Sequence, residues 1–94
     1  MKNKICIITG TTSGIGKVTS KELARMGATV VMICRNKEKG NLLLNEIKIE
    51  SGNQNVDLFI ADLSSQKEVR KLAEEIKIKY PIIDVLINNA GAIN

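Results

Sequence analysis

The sequence predicts a doubly wound parallel α/β fold of the Rossmann type, with strand order 3-2-1-4 and an incomplete edge at strand 4. Short apolar runs alternate with longer stretches of helical period, which is the pattern of βαβ units. The runs are nearly continuous in Ile, Val and Leu, as parallel strands covered on both faces require. A glycine-rich segment, Thr9-Gly10-Thr11-Thr12-Ser13-Gly14-Ile15-Gly16, joins the first run to the first helical stretch.

The first strand is expected at Ile5 to Thr9, ended by Gly10, because a tight turn favours a residue free to take φ > 0. In the helix that follows, Ile15, Val18, Leu23 and Met26 are expected to face inward, and Gly27 supplies the C-terminal stop. The second strand is Thr29 to Cys34. A second helix, roughly Lys37 to Glu50, should turn Leu43, Leu44 and Ile47 inward and end at Ser51-Gly52. The third strand is Val56 to Ala61. Ser65-x-x-Glu68 then reads as a capping box, opening a helix whose Val69, Leu72, Ala73, Ile76 and Tyr80 share a face before Pro81. Asp84 to Asn88 is the fourth strand. Right-handed crossovers give the strand order and set the carboxyl ends of strands 1 and 4 side by side, with a crevice at this topological switch point. The segments Gly10 to Gly16 and Asn88 to Gly91 converge there.

Ninety-four residues make one small domain with a thin core. Hydrophobic residues at 44% and charged ones at 26% are an ordinary globular balance. Tyr80 and Phe59 are the only aromatics, so Ile, Leu and Val must build the core. The net charge is +4, but the lysines alternate with acids, which marks a solvated surface rather than a nucleic-acid stripe. No nucleic-acid partner is expected. Cys6 and Cys34 fall in strands without metal-ligand spacing, and the chain has no histidine, so reduced, space-filling thiols are expected and zinc is not. No leader or membrane-length apolar run is present, so the expected protein is soluble and cytoplasmic, with no membrane partner.

The glycine segment is the chemical signal. A strand that stops and turns into a helix presents unpaired N–H groups, which hold phosphate. At Gly14 and Gly16 a missing side chain lets a pyrophosphate approach the backbone and lets the helix pack closely on its strand. The spacing is G-x-x-x-G-x-G, not G-x-G-x-x-G, although the physical logic carries over. Taken alone, the segment is also compatible with a strand-to-helix turn that binds nothing.

Together with Asp62-Leu63 and Asn88-Asn89-Ala90-Gly91 downstream, the segment resembles the cofactor-binding half of the short-chain dehydrogenase/reductases, with three blocks in the family's order. The resemblance implies binding of NAD or NADP and hydride transfer to or from a carbonyl, alcohol or C=C substrate. It implies cofactor contacts from Gly10, Thr12, Ser13, Gly14, Ile15 and Gly16, with Asp62 near the adenine and Leu63 beside it. Asn88 would brace the central strands, and Asn89, Ala90 and Gly91 would form a wall near the cofactor. The alternative for Asp62 is a cap on the following helix.

The residues after strand 2 bear on the choice of cofactor. An NAD-selecting domain places a carboxylate there for the ribose hydroxyls, whereas this chain reads Cys34-Arg35-Asn36. A guanidinium clamps a 2′-phosphate through charge-assisted bonds, so Arg35, with Asn36 beside it, favours NADP over NAD. Ser13 stands where the family sometimes carries a second basic residue. The alternative for Arg35 is an exposed arginine at a strand end.

The family's reaction also needs a Tyr-x-x-x-Lys pair, and the 94 residues contain none. Tyr80 is the only tyrosine, Asp84 stands where the lysine would be, and Pro81 breaks the helix between them. No catalytic residue is therefore expected in this chain, which reads as the N-terminal, dinucleotide-binding half of the domain and as inactive alone. Contacts to a small-molecule substrate would come mainly from residues outside it. A bare strand 4 would favour self-association, so a homo-oligomer is one assembly in view. A non-catalytic dinucleotide-binding or interaction module is the alternative. A methyltransferase with a similar glycine loop would want an acid where Arg35 stands.

Overall fold

The structure, a computed structural model, describes residues 2–10 and 14–88. Along the chain run β1 (Ile5–Thr9), α1 (Gly14–Arg25), β2 (Thr29–Cys34), α2 (Lys37–Ser51), β3 (Val56–Ile60), α3 (Gln66–Lys79) and β4 (Val85–Asn88). The strands form one parallel sheet in the order β3-β2-β1-β4, as right-handed crossovers predict. Ala61 lies just beyond β3, and its N–H donates to the Cys34 carbonyl. Asp84 lies just before β4, yet its N–H donates to the Ile5 carbonyl while its Oδ2 accepts from the Ile5 N–H at 2.8 Å. This pair of bonds starts the β1–β4 ladder.

The helix ends follow the local chemistry. Past α1, Gly27 takes φ 87°, its N–H donates to the Ala24 carbonyl, and that of Ala28 to Leu23. These are the two bonds of a Schellman motif. Asn36 caps α2 through a bond from the Lys39 N–H, and Gly52 ends that helix at φ 71°. Ser65 caps α3 by accepting from the Glu68 N–H at 3.3 Å. The expected reciprocal arm lands elsewhere, since Glu68 Oε1 accepts from the Asp62 N–H at 3.0 Å.

Alternation along the strands divides the core between the two faces of the sheet. Cys6, Ile8, Val30 and Met32 pack with Leu43 and Ile47 of α2 and Ala24 of α1. Ile7, Val31 and Ile33 pack with Leu72 and Ile76 of α3. Three expectations need correction. In α1, Ile15 and Val18 are 78% and 62% exposed, as is Met26 just past its end at 54%, and the buried residues are Gly16, Ser20 and Ala24. Only Leu23 of the expected face packs against the core. The reason is proximity: small residues spaced four apart let α1 press close to the sheet, and Ser20 Oγ returns its proton to the Gly16 carbonyl at 2.8 Å. In α3, Leu72 and Ile76 are buried and Tyr80 is half-buried, while Val69 and Ala73 are exposed, because among the described residues no second helix lies on that face. For the same reason β4 is not covered on both faces. Val85 and Ile87 meet the core of α1 and α2, whereas Leu86 is 68% exposed.

Candidate nucleotide-binding site

The carboxyl ends of β1, β2 and β3 open on one cavity of about 360 Å³, lined by Gly10, Arg35, Asn36, Lys39, Asp62 and Leu63 among others. Five of the residues picked out from the sequence therefore come together. Gly10 follows β1 at φ 64°, and Gly14 begins α1 at φ 58°, both in the left-handed region that disfavours residues with a Cβ. A Cβ built on Gly14 would meet nothing within 4 Å among the described residues. The start of α1 thus faces open space, as the approach of a ligand to backbone requires. Gly16 is buried and serves helix packing. Ile15 is exposed and does not line the cavity. Thr12 and Ser13 lie outside the described residues, as do Asn89, Ala90 and Gly91. Thr9 Oγ1 donates to Asn88 Oδ1 at 3.0 Å, joining the carboxyl ends of β1 and β4, the bracing expected of Asn88.

Asp62 is fixed by its own turn. Oδ1 accepts from the Ser64 hydroxyl at 2.6 Å and from the Ser64 N–H at 3.0 Å, and Oδ2 lies 3.8 Å from the Arg35 guanidinium. The two bonds from Ser64 hold its carboxyl below the usual range against the opposing effect of desolvation, with a lesser contribution from the charge of Arg35. Asp62 is therefore an anion at neutral pH, pinned at the rim of the cavity. It shapes the turn before α3 but does not cap it, since Ser65 does. Arg35 is 81% exposed at its side chain, and a guanidinium so placed can turn from Asp62 to another anion. Asn36 Oδ1 is committed to the Lys39 N–H at 3.0 Å.

Two residues of this region escape the sequence reading. Lys39 lines the cavity from the first turn of α2. Gly40 is buried beneath it, and a Cβ there would sit 3.1 Å from both terminal methyl groups of Leu58. This close approach sets α2 against β3. An isolated glycine within a helical pattern is the only signal that could have marked it.

Tyr80 sits at the opposite end of the sheet. Its hydroxyl donates to Asp57 Oδ2 at 2.9 Å, and Lys79 Nζ donates to the same oxygen at 2.6 Å. Burial, followed by the bond to Asp57 and its charge, pushes the phenol up to about 12. Such a group is a tether for the end of α3 and no proton donor for the cavity.

A sequence model described as short chain dehydrogenase matches residues 4–94. Human retinol dehydrogenase 11 is 44% identical over 91 residues, covering 97% of this chain and 29% of that protein. Among solved structures, one described as a short chain dehydrogenase from Shigella flexneri 2a, complexed with NADP, matches with a TM-score of 0.88 at 35% identity, covering 97% of this chain and 38% of that one. A counterpart from Escherichia coli CFT073, complexed with NADPH, matches with the same TM-score, identity and coverage. The chain thus spans well under half the length of the proteins it matches.

Proposed function

The chain belongs to the short-chain dehydrogenase family, and on that premise we propose that residues 1–94 form the dinucleotide-binding half of an NADP(H)-dependent oxidoreductase acting on a carbonyl or alcohol substrate. The observation that carries the reading is the cavity at the carboxyl ends of β1 to β3, where Gly10, Arg35 and Asp62 meet. The bound nicotinamide would supply the hydride. In this reading the backbone around Gly10, Gly14 and Gly16 holds the pyrophosphate, Asp62 accepts from the adenine amino group with Leu63 beside the ring, and Arg35 takes the 2′-phosphate. Thr12, Ser13, Ile15, Asn36, Asn89, Ala90 and Gly91 complete the proposed contacts. Two supports for NADP over NAD are the absence of an acid at Cys34 and Arg35 and the NADP and NADPH bound in the two matched structures.

The 94 residues alone should transfer no hydride to a carbonyl. No Tyr-x-x-x-Lys is present, the one phenol is tied to Asp57 at the far end of the sheet, and the reaction lacks its proton donor. The substrate would meet mainly residues beyond this half. The two buried thiols, Cys6 and Cys34, suit a reducing compartment such as the cytoplasm. No helix among the described residues is long and apolar enough to cross a membrane. Tyr80's engagement also leaves room for a second reading, a module that binds the dinucleotide without chemistry. Hydride transfer by the product of a reading frame that continues into a Tyr-x-x-x-Lys helix would eliminate it.

The test is titration of the chain with NADPH and NADH at two salt concentrations. A charge-assisted bond is worth roughly 1.5–3 kcal/mol, so NADPH should bind about ten- to a hundred-fold more tightly. Arg35→Ala should remove most of that difference, and Cys34→Asp with Arg35→Ile should reverse the order by setting a carboxylate against the phosphate. Equal affinities in the unmodified chain would overturn the choice of NADP.

A further inference from the structure

We propose that Ser64 and Glu68 are positioning residues, which lock the Asp62 carboxylate with one oxygen presented to the cavity and so make the site select a 6-aminopurine over a 6-oxopurine. The inference rests on the reading above, in which Asp62 accepts from the adenine amino group, and deepens it. An acceptor discriminates between bases only if it is held still. A carboxylate free to turn about its two side-chain torsions can follow whichever donor a base offers.

The hydrogen-bonding groups of Asp62 are engaged one by one within the turn that joins β3 to α3. Its N–H donates to Glu68 Oε1 at 3.0 Å, and its carbonyl accepts from the Ser65 N–H at 3.1 Å. Oδ1 accepts from the Ser64 hydroxyl at 2.6 Å and from the Ser64 N–H at 3.0 Å. Two bonds converging on one oxygen hold both torsions, and the bond to Glu68 holds the backbone from which the side chain springs. Among the described residues only Oδ2 accepts no hydrogen bond. It lies toward Arg35, whose guanidinium is 3.8 Å away and which lines the same cavity. Ser64 also lines that cavity, so the lock sits at its rim. The one group that the turn leaves for a ligand is thus a fixed acceptor. An exocyclic amino group satisfies it, whereas the carbonyl of a 6-oxopurine sets oxygen against oxygen. A 6-oxopurine also carries a proton on N1, which a loose carboxylate could turn to reach and a locked one could not.

The experiment titrates the full 94-residue chain with NADPH and with reduced nicotinamide hypoxanthine dinucleotide phosphate, which share every phosphate and differ only at this edge of the base. The variants are Ser64→Ala, Ser64→Thr, Glu68→Ala, Glu68→Gln, Asp62→Ala and Ser65→Ala. Ser64 and Glu68 are exposed, so their removal loses little burial, and circular dichroism checks each fold first. The unmodified chain should prefer NADPH by about five- to thirty-fold, and Ser64→Ala should bring that ratio below about three-fold. Glu68→Ala should lower it by a smaller factor. Ser64→Thr and Glu68→Gln, which keep the hydroxyl and the Oε1 acceptor, should restore it. Ser65→Ala removes the cap of α3 while keeping the N–H that binds Asp62, so it should lower the melting temperature and leave the ratio unchanged. If Asp62→Ala abolishes the preference but Ser64→Ala leaves it intact, or if Ser65→Ala lowers the ratio as much as Ser64→Ala, the positioning role is overturned and the reading of Asp62 stands. If the unmodified chain binds both dinucleotides equally, or binds neither, the two fall together.

Discussion

Asn53 shows how much one uncharged side chain in a loop can hold. Its Nδ2 donates to the carbonyls of Ala24 at 3.0 Å and Ala28 at 2.7 Å, and its Oδ1 accepts from the Asn55 N–H at 2.8 Å. It thus ties the end of α1, the entry to β2 and the entry to β3 at one point. Replacing it with Ala leaves two carbonyls and an amide to find water. At roughly 1 kcal/mol for each net bond, Asn53→Ala should cost about 2–3 kcal/mol in urea denaturation. Asn53→Asp should be worse at neutral pH, because a carboxylate would face the two carbonyls, and should recover as acid protonates it. The sequence hides this role, since Ser51-Gly52-Asn53 reads simply as a turn. Arg35 and Asp62 are legible for the opposite reason: their chemistry belongs to fixed places at the ends of strands, and the strands themselves are plain.

The elements were legible where local chemistry decides them. The Schellman end at Gly27, the Ser65 cap and the four apolar strands each follow from neighbouring residues. The inward face of α1 does not, because apolar periodicity looks for large side chains, whereas Gly16, Ser20 and Ala24 are buried by virtue of being small. Gly40 does the same for α2. Gly40→Val would drive branched methyls into Leu58, and overpacking of this kind costs about 1–3 kcal/mol. We expect a lower melting temperature and weaker dinucleotide binding, since α2 would move away from the cavity. Unchanged stability would mean that Leu58 yields freely. At the far end of α3 the tether predicts a pH dependence. Burial raises the Asp57 carboxyl, but bonds from Lys79, Tyr80 and the Leu58 N–H outweigh it, and the result lies below the usual range. This contribution is present above the ordinary carboxylate range and fades as acid protonates the group. Tyr80 behaves oppositely: its phenol is raised to about 12, so its contribution is whole below the ordinary value near 10 and is lost as pH rises through about 12. The chain has one tyrosine and no tryptophan, so phenolate absorbance reports this group alone. A midpoint near 10 in the folded chain would show that the bond to Asp57 is absent in solution, and Asp57→Asn should lower the midpoint.

Across the whole molecule the two faces of the sheet are covered unequally. Helices α1 and α2 cover one face, while among the described residues α3 alone covers the other. Strand order was readable because crossover handedness leaves few choices, but coverage was not, since Val85-Leu86-Ile87 reads as a buried run whatever packs on it. Among the described residues β4 pairs only with β1, Leu86 is exposed, and Ile82 and Ile83 before it are exposed as well. An open strand edge beside exposed apolar groups is a template for pairing with another chain. We therefore expect copies of this chain to associate through β4, in a way that grows with concentration in sedimentation velocity. Leu86→Lys keeps the backbone ladder and sets a charge on the uncovered face, where the leucine has little burial to lose. It should shift the population toward monomer without lowering the melting temperature of the dilute chain. If the unmodified protein stays monomeric at every concentration, the uncovered face is tolerated as it stands; if both proteins associate equally, the contact lies elsewhere, with the stripe of Ile15 and Val18 on α1 the next surface to charge.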